Sequence, residues 1–300
     1  MKRVSYAFLA IYLLCQANWA HAKLVIFYTP LDLATDRRMD LPIAILNLGL
    51  SKTQHQYGDF EIKPAPVEQL PFNRGIQALR NNTYPNLFLM GNFHNHPEYN
   101  HYGLTPVDFP ADFGLLGYRV CFVNPQKKAA ISQVTSLKDL TQFTVGQGTK
   151  WDDVAILRHN GFTVTETANY PNLFKMVARG RVDLFCRSLS ELKEEAKTYG
   201  DIKNLTYDES FVLHYPLPWY FYFNHQSTEA IKRLQEGLDI AARDGSLRQL
   251  FLAYNKENLA FAHLSQRRIF NLENPSAGPL SETYKHFLID PTKIDVTKME

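Results

Sequence analysis

The sequence is short of cysteine, of long apolar runs and of excess positive charge, and each shortage argues against a class of protein. Its three cysteines show none of the paired spacings that form metal sites. The 32 basic and 30 acidic residues nearly balance, whereas a nucleic-acid-binding face would require a basic excess. A nucleophile elbow, a phosphate-binding loop and an internal repeat are also missing from the sequence. What is present is a globular composition, with 45% hydrophobic residues that can form a sizeable core.

The first 22 residues have the three parts of a secretory signal peptide. An apolar run follows Lys2 and Arg3, and the segment ends in the small-residue pattern Ala20-His21-Ala22. The run is shorter than the ~20 residues that span a bilayer, which argues against a membrane anchor. We therefore predict cleavage after Ala22 and a mature protein that resides in the periplasm.

Along the rest of the chain, short apolar stretches alternate with stretches of helical periodicity. The first ninety-odd residues predict strand, helix, strand, helix and strand, at 24–28, 41–53, 60–63, 74–80 and 87–90. The region 119–217 repeats this alternation, which favours parallel sheets with helices on their faces. The tail from about residue 265 is expected to have little regular structure. Since a single core rarely grows beyond about 250 residues, two domains are expected.

Three segments in the second half of the chain carry a family resemblance through their order and spacing. They are 145–158 (VGQGTKWDDVAILR), 173–191 (LFKMVARGRVDLFCRSLSE) and 227–250 (STEAIKRLQEGLDIAARDGSLRQL). Together they resemble the family 3 extracellular solute-binding proteins, which have the type II periplasmic binding fold and include amino-acid receptors of ABC transporters. In the first lobe, 46–63 and 74–80 are similar to an uncharacterised branch of these proteins, as are 114–123 and the tail around 274–275.

The resemblance implies an α/β protein of two lobes, joined by two crossover segments, with a ligand cleft between them. Lobe 1 would comprise residues 23–118 and 219–300, and lobe 2 would comprise residues 119–218. A ligand would shift the population from open to closed lobes. The implied function is capture of a small polar or anionic molecule, without catalysis or a cofactor, by a monomer that serves an ABC permease or a membrane sensor.

The sequence departs from the amino-acid receptors directly after the strand at 182–186. Those receptors place a carboxylate there that holds the ammonium group of the ligand, whereas this chain continues with Arg187-Ser188. A guanidinium suits a planar anion because its forked donors bind such groups bidentately. Arg187 is therefore the leading candidate for a ligand contact, Ser188 beside it is another candidate, and Glu191 could still supply a negative contact. The alternative for Arg187 is an ion pair with Glu191 or with another carboxylate of lobe 2.

Four further residues are candidate ligand contacts, each with a structural alternative. Gly148 and Thr149 precede a predicted helix and could offer N–H groups and a hydroxyl to an anion, or could simply cap that helix. Trp151 could stack on a ligand or pack within the lobe. Arg74 begins a predicted helix of lobe 1 and either faces the cleft or is a solvated surface charge.

Acidic residues at the same helix start receive a different expectation. Asp152 and Asp153 would repel an anion if they pointed into the cleft. We expect both side chains to face solvent and to stabilise the N-terminus of the helix through its dipole.

Two other classes of function compete with ligand capture. A metal-binding protein could use the segment 93–101, which contains His94, His96, Glu98 and His101, although the spacing matches no zinc pattern. An enzyme on the same fold would require a strongly perturbed acid–base pair in the cleft.

The cysteines of the predicted mature chain, Cys121 and Cys186, have two interpretations. An oxidising periplasm would permit a disulfide between them. Both lie in apolar strand-like runs, and cysteine is among the most buried residue types, which slightly favours two buried free thiols.

Overall fold

The computed structural model describes residues 23–30, 39–68, 70–92 and 101–295. The strands within these ranges are β1 (Leu24–Tyr28), β2 (Phe60–Pro64), β3 (Phe88–Gly91), β4 (Leu104–Pro106), β5 (Tyr118–Val123), β6 (Val145–Gly148), β7 (Val164–Thr167), β8 (Leu184–Ser188), β9 (Thr206–Tyr207), β10 (Phe211–His214), β11 (Tyr220–Asn224) and β12 (Arg268–Asn271). The α-helices are α1 (Asp40–Lys52), α2 (Gln54–Tyr57), α3 (Phe72–Arg80), α4 (Lys128–Ser132), α5 (Leu137–Leu140), α6 (Asp152–His159), α7 (Tyr170–Ala178), α8 (Leu189–Thr198), α9 (Thr228–Arg243), α10 (Ser246–Ala262) and α11 (Glu282–Phe287). The predicted signal peptide lies outside the described residues.

The strands of lobe 1 lie side by side in the order β2-β1-β3-β11-β4. The first two strands are parallel, and a single parallel bridge between Phe27 and Leu87 joins them to β3. Strand β11 returns from the second half of the chain and pairs antiparallel with both β3 and β4. The predicted alternation of strands and helices in this lobe is therefore present.

Helices α1 and α9 of lobe 1 pack so closely that glycine is required at the contact. A Cβ added at Gly237 would overlap the backbone of Gly49. Beside this contact lies Arg233, whose side chain is fully buried. Its Nη2 donates to the carbonyls of Gly58 at 2.6 Å and Leu50 at 3.4 Å. The guanidinium thus satisfies one main-chain acceptor in the last turn of α1 and one at the end of α2.

Lobe 2 has a larger sheet, in the order β12-β10-β5-β8-β6-β7, with β9 beside β5. Strands β5 and β8 are antiparallel, and their register places Cys121 directly opposite Cys186. The two cysteines form a disulfide. The sequence interpretation that favoured free thiols is therefore wrong, because it weighed the burial of each cysteine and had no information on which strands are neighbours.

The tail does not stay in lobe 1, where the resemblance placed it. Strand β12 pairs in parallel with β10 and covers what would otherwise be an open edge of the lobe 2 sheet. Helix α11 then returns to lobe 1, where Tyr284 packs on Tyr220 and Phe287 on Phe109. The chain therefore passes between the lobes again after the two expected crossovers, and the tail has regular structure.

Helix α10 connects the lobes behind the cleft. Asn258 of this helix donates a hydrogen bond to the carbonyl of Ser190 at 3.2 Å, and Glu257 pairs with Lys193 of α8. One apolar core continues from Phe251 of α10 into lobe 2. Within the described ranges, no helix is both long and apolar enough to cross a membrane.

Candidate functional site

A cavity of about 1400 Å³ lies between the two lobes. Lobe 1 lines it with residues that follow β1 and β3, among them Thr29 and Asn92. Lobe 2 lines it with the first turns of α6 and α8, and the crossovers contribute Asp112 and Trp219. The lining therefore comes from the carboxyl ends of parallel strands, which is where open α/β sheets bind their ligands.

The lobe 2 wall contains a guanidinium held in a cage of aromatic rings and carboxylates. Arg187 is 7% exposed, and its Nη2 lies 2.6 Å from Glu191 Oε1 and 2.8 Å from Glu195 Oε1. Its Nε donates to Glu195 as well, at 2.9 Å. The guanidinium carbon lies 5.0 Å from the ring centre of Trp151 and 5.3 Å from that of Tyr170. One cation is thus shared by two carboxylates.

Burial and charge act against each other within this cage. Burial alone would lower the pKa of Arg187, but the carboxylates of Glu191 and Glu195 raise it, so the guanidinium stays charged. Burial raises the pKa of Glu195, and the opposing effect of Arg187 does not fully offset it. The expected ion pair of Arg187 with Glu191 is therefore present, and Arg187 offers an anion no unpaired guanidinium in this arrangement.

A second ion pair lies at the first crossover. Arg119 Nη2 is 2.9 Å from Asp153 Oδ1, and both side chains are buried. Tyr215 accepts a hydrogen bond from Arg119 Nε at 3.1 Å and donates its own proton to Asp153. Asp153 was expected to face solvent, so that expectation is wrong. Its partner is 34 positions away in sequence, and only the pairing of strands and helices brings the two together.

The first crossover also places a carboxyl group in the cavity wall. Asp112 accepts hydrogen bonds from the backbone N–H groups of Gly114 at 3.2 Å and Leu116 at 2.5 Å. Burial raises its pKa to about 6, and these hydrogen bonds offset only part of that effect. The two residues that follow Asp112 in this turn both have positive φ angles, 59° at Phe113 and 87° at Gly114. The carboxylate therefore caps a tight turn at the hinge.

Asn92 of lobe 1 directly follows β3. It is 4% exposed and lines the cavity. Its Oδ1 has no hydrogen-bond partner within the described part of the chain. A buried acceptor left unpaired costs about 1–3 kcal/mol, so a hydrogen-bond donor placed at this oxygen would be stabilising.

No family model matches the sequence, and no curated protein matches it. Solved structures do share the arrangement of its chain, at sequence identities too low to transfer a function. The GluR0 ligand-binding core in complex with L-glutamate is 13% identical, with a TM-score of 0.51, and the match covers 79% of this chain and 99% of that one. The chain has the type II periplasmic binding protein fold.

Two further structures with this fold come from bacteria of different kinds. The VFT2 domain of Bordetella pertussis BvgS is 18% identical, with a TM-score of 0.51 over 77% of this chain and 93% of that one. A TRAP periplasmic solute-binding protein from Escherichia fergusonii, in an apo open structure, is 13% identical, with a TM-score of 0.50 over 85% and 91%. The recognition of the fold from three sequence segments is thereby confirmed.

The predicted site residues separate into two groups within the type II fold. Trp151, Arg187 and Glu191 line the cavity. The other four lie outside its lining: Gly148, Thr149, Ser188 and Arg74.

The local contacts or exposure of each residue in the second group show its place in the fold. Gly148 leaves room for the indole of Trp151, which a Cβ at that position would overlap. Thr149 lies before helix α6, which begins at Asp152, and its N–H donates to the carbonyl of Thr167. Ser188 is buried as the N-cap of α8. Arg74 is exposed on α3.

The sequence reasoning missed the contributions of Asn92 and Asp112 to the cavity. Asn92 directly follows an apolar strand and Asp112 precedes a Phe-Gly turn at the first crossover, so position relative to predicted strand ends could have identified both. The structure tests the metal-binding interpretation only in part. His94, His96 and Glu98 lie outside the described residues, and no cluster of three or more potential ligands occurs within them.

Proposed function

We propose that this protein is a periplasmic solute-binding protein that captures a small polar molecule by closing its two lobes, without chemical conversion. The observation that carries the proposal is the cavity of about 1400 Å³ lined jointly by both lobes and both crossovers. Such a site is complete only when the lobes approach, so ligand binding and closure are linked. The structural neighbours described as a ligand-binding core and a solute-binding protein support binding without catalysis.

Export is the second part of the proposal. The pattern of residues 1–22 supports cleavage after Ala22. The mature protein would then deliver its ligand to an ABC permease or report it to a membrane sensor, as a monomer. N-terminal sequencing of protein isolated from the periplasmic fraction tests the cleavage. Recovery of uncleaved chain in the cytoplasm would contradict it.

The direct ligand contacts that we propose in lobe 2 are Trp151 and Glu191, with Arg187 holding Glu191 in place. Trp151 supplies a flat apolar wall, and Glu191 is the more exposed of the two carboxylates on Arg187, with 38% of its side chain accessible. Thr149, Gly148, Ser188 and Arg74 would reach the ligand only through a change in the arrangement of the lobes.

The test is a binding screen read out in two ways. Purified mature protein is screened by thermal shift against amino acids, carboxylates, small peptides, sugars, polyamines and divalent metals. A ligand at a hundred times its Kd should add about 2.7 kcal/mol of stability. Small-angle X-ray scattering then measures whether the hit lowers the radius of gyration, as closure requires. Binding without compaction would contradict hinge closure, and turnover of the bound compound would contradict a non-catalytic role.

A further inference from the structure

The balance of charge in the cleft indicates what kind of molecule it can hold. Of the described residues that line the cavity, five carry carboxyl groups and three are cationic. Two of the three cations, Arg119 and Arg187, already have carboxylate partners. Arg187 also engages Glu195, which lies behind the wall, so its one charge is divided between two carboxylates, and Lys150 is the third cation of the lining. An anion entering this cleft would meet mostly like charge.

Two acceptors of different character lie at the floor and the lobe 1 edge of the cavity. Within the described ranges, no cation forms a salt bridge with the carboxylate of Asp112 at the first crossover, and Arg119, which acts on it electrostatically, is bound to Asp153. The buried Oδ1 of Asn92 has no partner in the described ranges. A ligand group that donates several hydrogen bonds would satisfy both acceptors, and a cationic amine does so while compensating the charge of Asp112.

The remaining walls suit the rest of such a ligand. Trp219 at the second crossover and Tyr254 of α10 line the cavity, and no guanidinium of the described residues lies over either ring, unlike that of Trp151. Aromatic faces attract cations and also accept alkyl groups. The apolar side chains of Leu89 and Met90 extend this surface in lobe 1.

We propose that the ligand is a primary amine or other organic cation with a short apolar body, whose charged group lies between Asp112 and Asn92 at the hinge. The inference rests on the proposed function, because it assigns the chemical class of the molecule captured in that cleft. It replaces the anion that Arg187 suggested from sequence.

The experiment compares compounds of one length and different charge. Cadaverine, pentylamine, 1,5-pentanediol and glutarate are titrated calorimetrically into the mature protein, and scattering measures closure with each. We expect the two amines to bind and to compact the protein, and the diol and the dicarboxylate to do neither. Asp112→Asn should weaken amine binding about tenfold or more, because it removes a charged partner. Asp201→Asn, which removes the same charge from an exposed position outside the cavity, should leave it unchanged.

Asn92→Leu provides a second, independent variant. It removes the other acceptor while keeping the position buried, and it should also weaken amine binding. Binding and compaction with glutarate, and not with the amines, would overturn the cation assignment and leave the proposed capture function standing. Absence of binding by all four compounds would overturn the assignment too. Failure of every compound in the wider screen to compact the protein would count separately against the proposed function.

Discussion

Each lobe contains a buried arginine, and the two are stabilised in opposite ways. Arg233 in lobe 1 donates to the main-chain carbonyls of Leu50 and Gly58, and burial lowers its pKa because Glu229 and Asp59 compensate only in part. Arg187 in lobe 2 is also buried, but Glu191 and Glu195 raise its pKa. The lobe 1 guanidinium depends on groups that never titrate, whereas the lobe 2 guanidinium depends on groups that can be protonated. Of these two arginine sites, the one in lobe 2 is therefore the one whose contribution to stability should respond to pH.

Removing Arg187 should have the largest effect. Arg187→Met leaves Glu191 and Glu195 without their cation, and breaking such a buried pair costs about 3–5 kcal/mol. The deficit should shrink as pH falls from 8 to 5, because protonation removes the unpaired charge. Urea unfolding across this pH range measures both quantities. Arg158→Met, which breaks an ion pair with Glu166 whose arginine is 52% exposed, is the matched control and should cost under about 1 kcal/mol.

Removing the disulfide, which only lobe 2 contains among the described residues, should have the next largest effect on stability. The bond joins Cys121 and Cys186, which are 65 positions apart, and constrains lobe 2 only. Replacing both residues with Ala should destabilise the protein by about 2–4 kcal/mol. Hydrogen exchange should place the increased opening in β5 and β8 rather than in β1 and β3. Equal loss of protection in both lobes would show that they unfold as one unit.

Arg233→Met tests the lobe 1 half of the comparison. It leaves the carbonyls of Leu50 and Gly58 without their donor, which we expect to cost about 3 kcal/mol. The cost should be the same at pH 5 and pH 8, because no titratable group pairs with this arginine through a salt bridge. If denaturant unfolding instead shows the pH profile of Arg187→Met, the distinction between the two arginines is wrong.

Removing the charge of Asp112 should have the smallest effect on stability, and that effect should increase with pH. The pKa of this residue is raised from 3.8 to about 6, so ionising it penalises the folded state, with no penalty below pH 4 and the full penalty above pH 6. Asp112→Asn should recover about 2 kcal/mol at pH 7.5, after allowance for partial exposure, and nothing at pH 3.5. The charged groups that face Asp112 are Arg119, which lowers its pKa, and Tyr284, whose own pKa it raises. A stability gain that is equal at both pH values would contradict this assignment.

The prediction of the fold and that of the site differed in outcome for one reason. The order of strands and helices depends on hydrophobic periodicity within short windows, and the predicted elements from β1 through α9 are present in their predicted order. The prediction did not include β4, β9, β10, α2, α4 and α8. The assignment of the tail failed because β12 pairs with β10, more than fifty positions earlier, and nothing local to 268–271 specifies that edge. Strand pairing between distant segments is a property of the folded chain.

The candidate site shows the same division at the level of single side chains. Trp151, Arg187 and Glu191 were identified from their place after predicted strands, and the structure puts all three in the cavity wall. Asp153 was assigned to solvent because a helix dipole accounts for an acidic first turn, and the structure pairs it with Arg119 instead.

The sequence by itself determined the alternation of strands and helices, since apolar periodicity, helix caps and strand lengths act between near neighbours and do not require knowledge of the rest of the chain. The two-lobed arrangement came from the resemblance to the solute-binding family. The tertiary structure alone decided which charges compensate which. Arg187 takes two carboxylates, Arg119 takes Asp153, and Asp112 accepts hydrogen bonds from backbone N–H groups at the first crossover. Ion pairing depends on distance and burial in space, and both are set only when the sheets of the two lobes have formed.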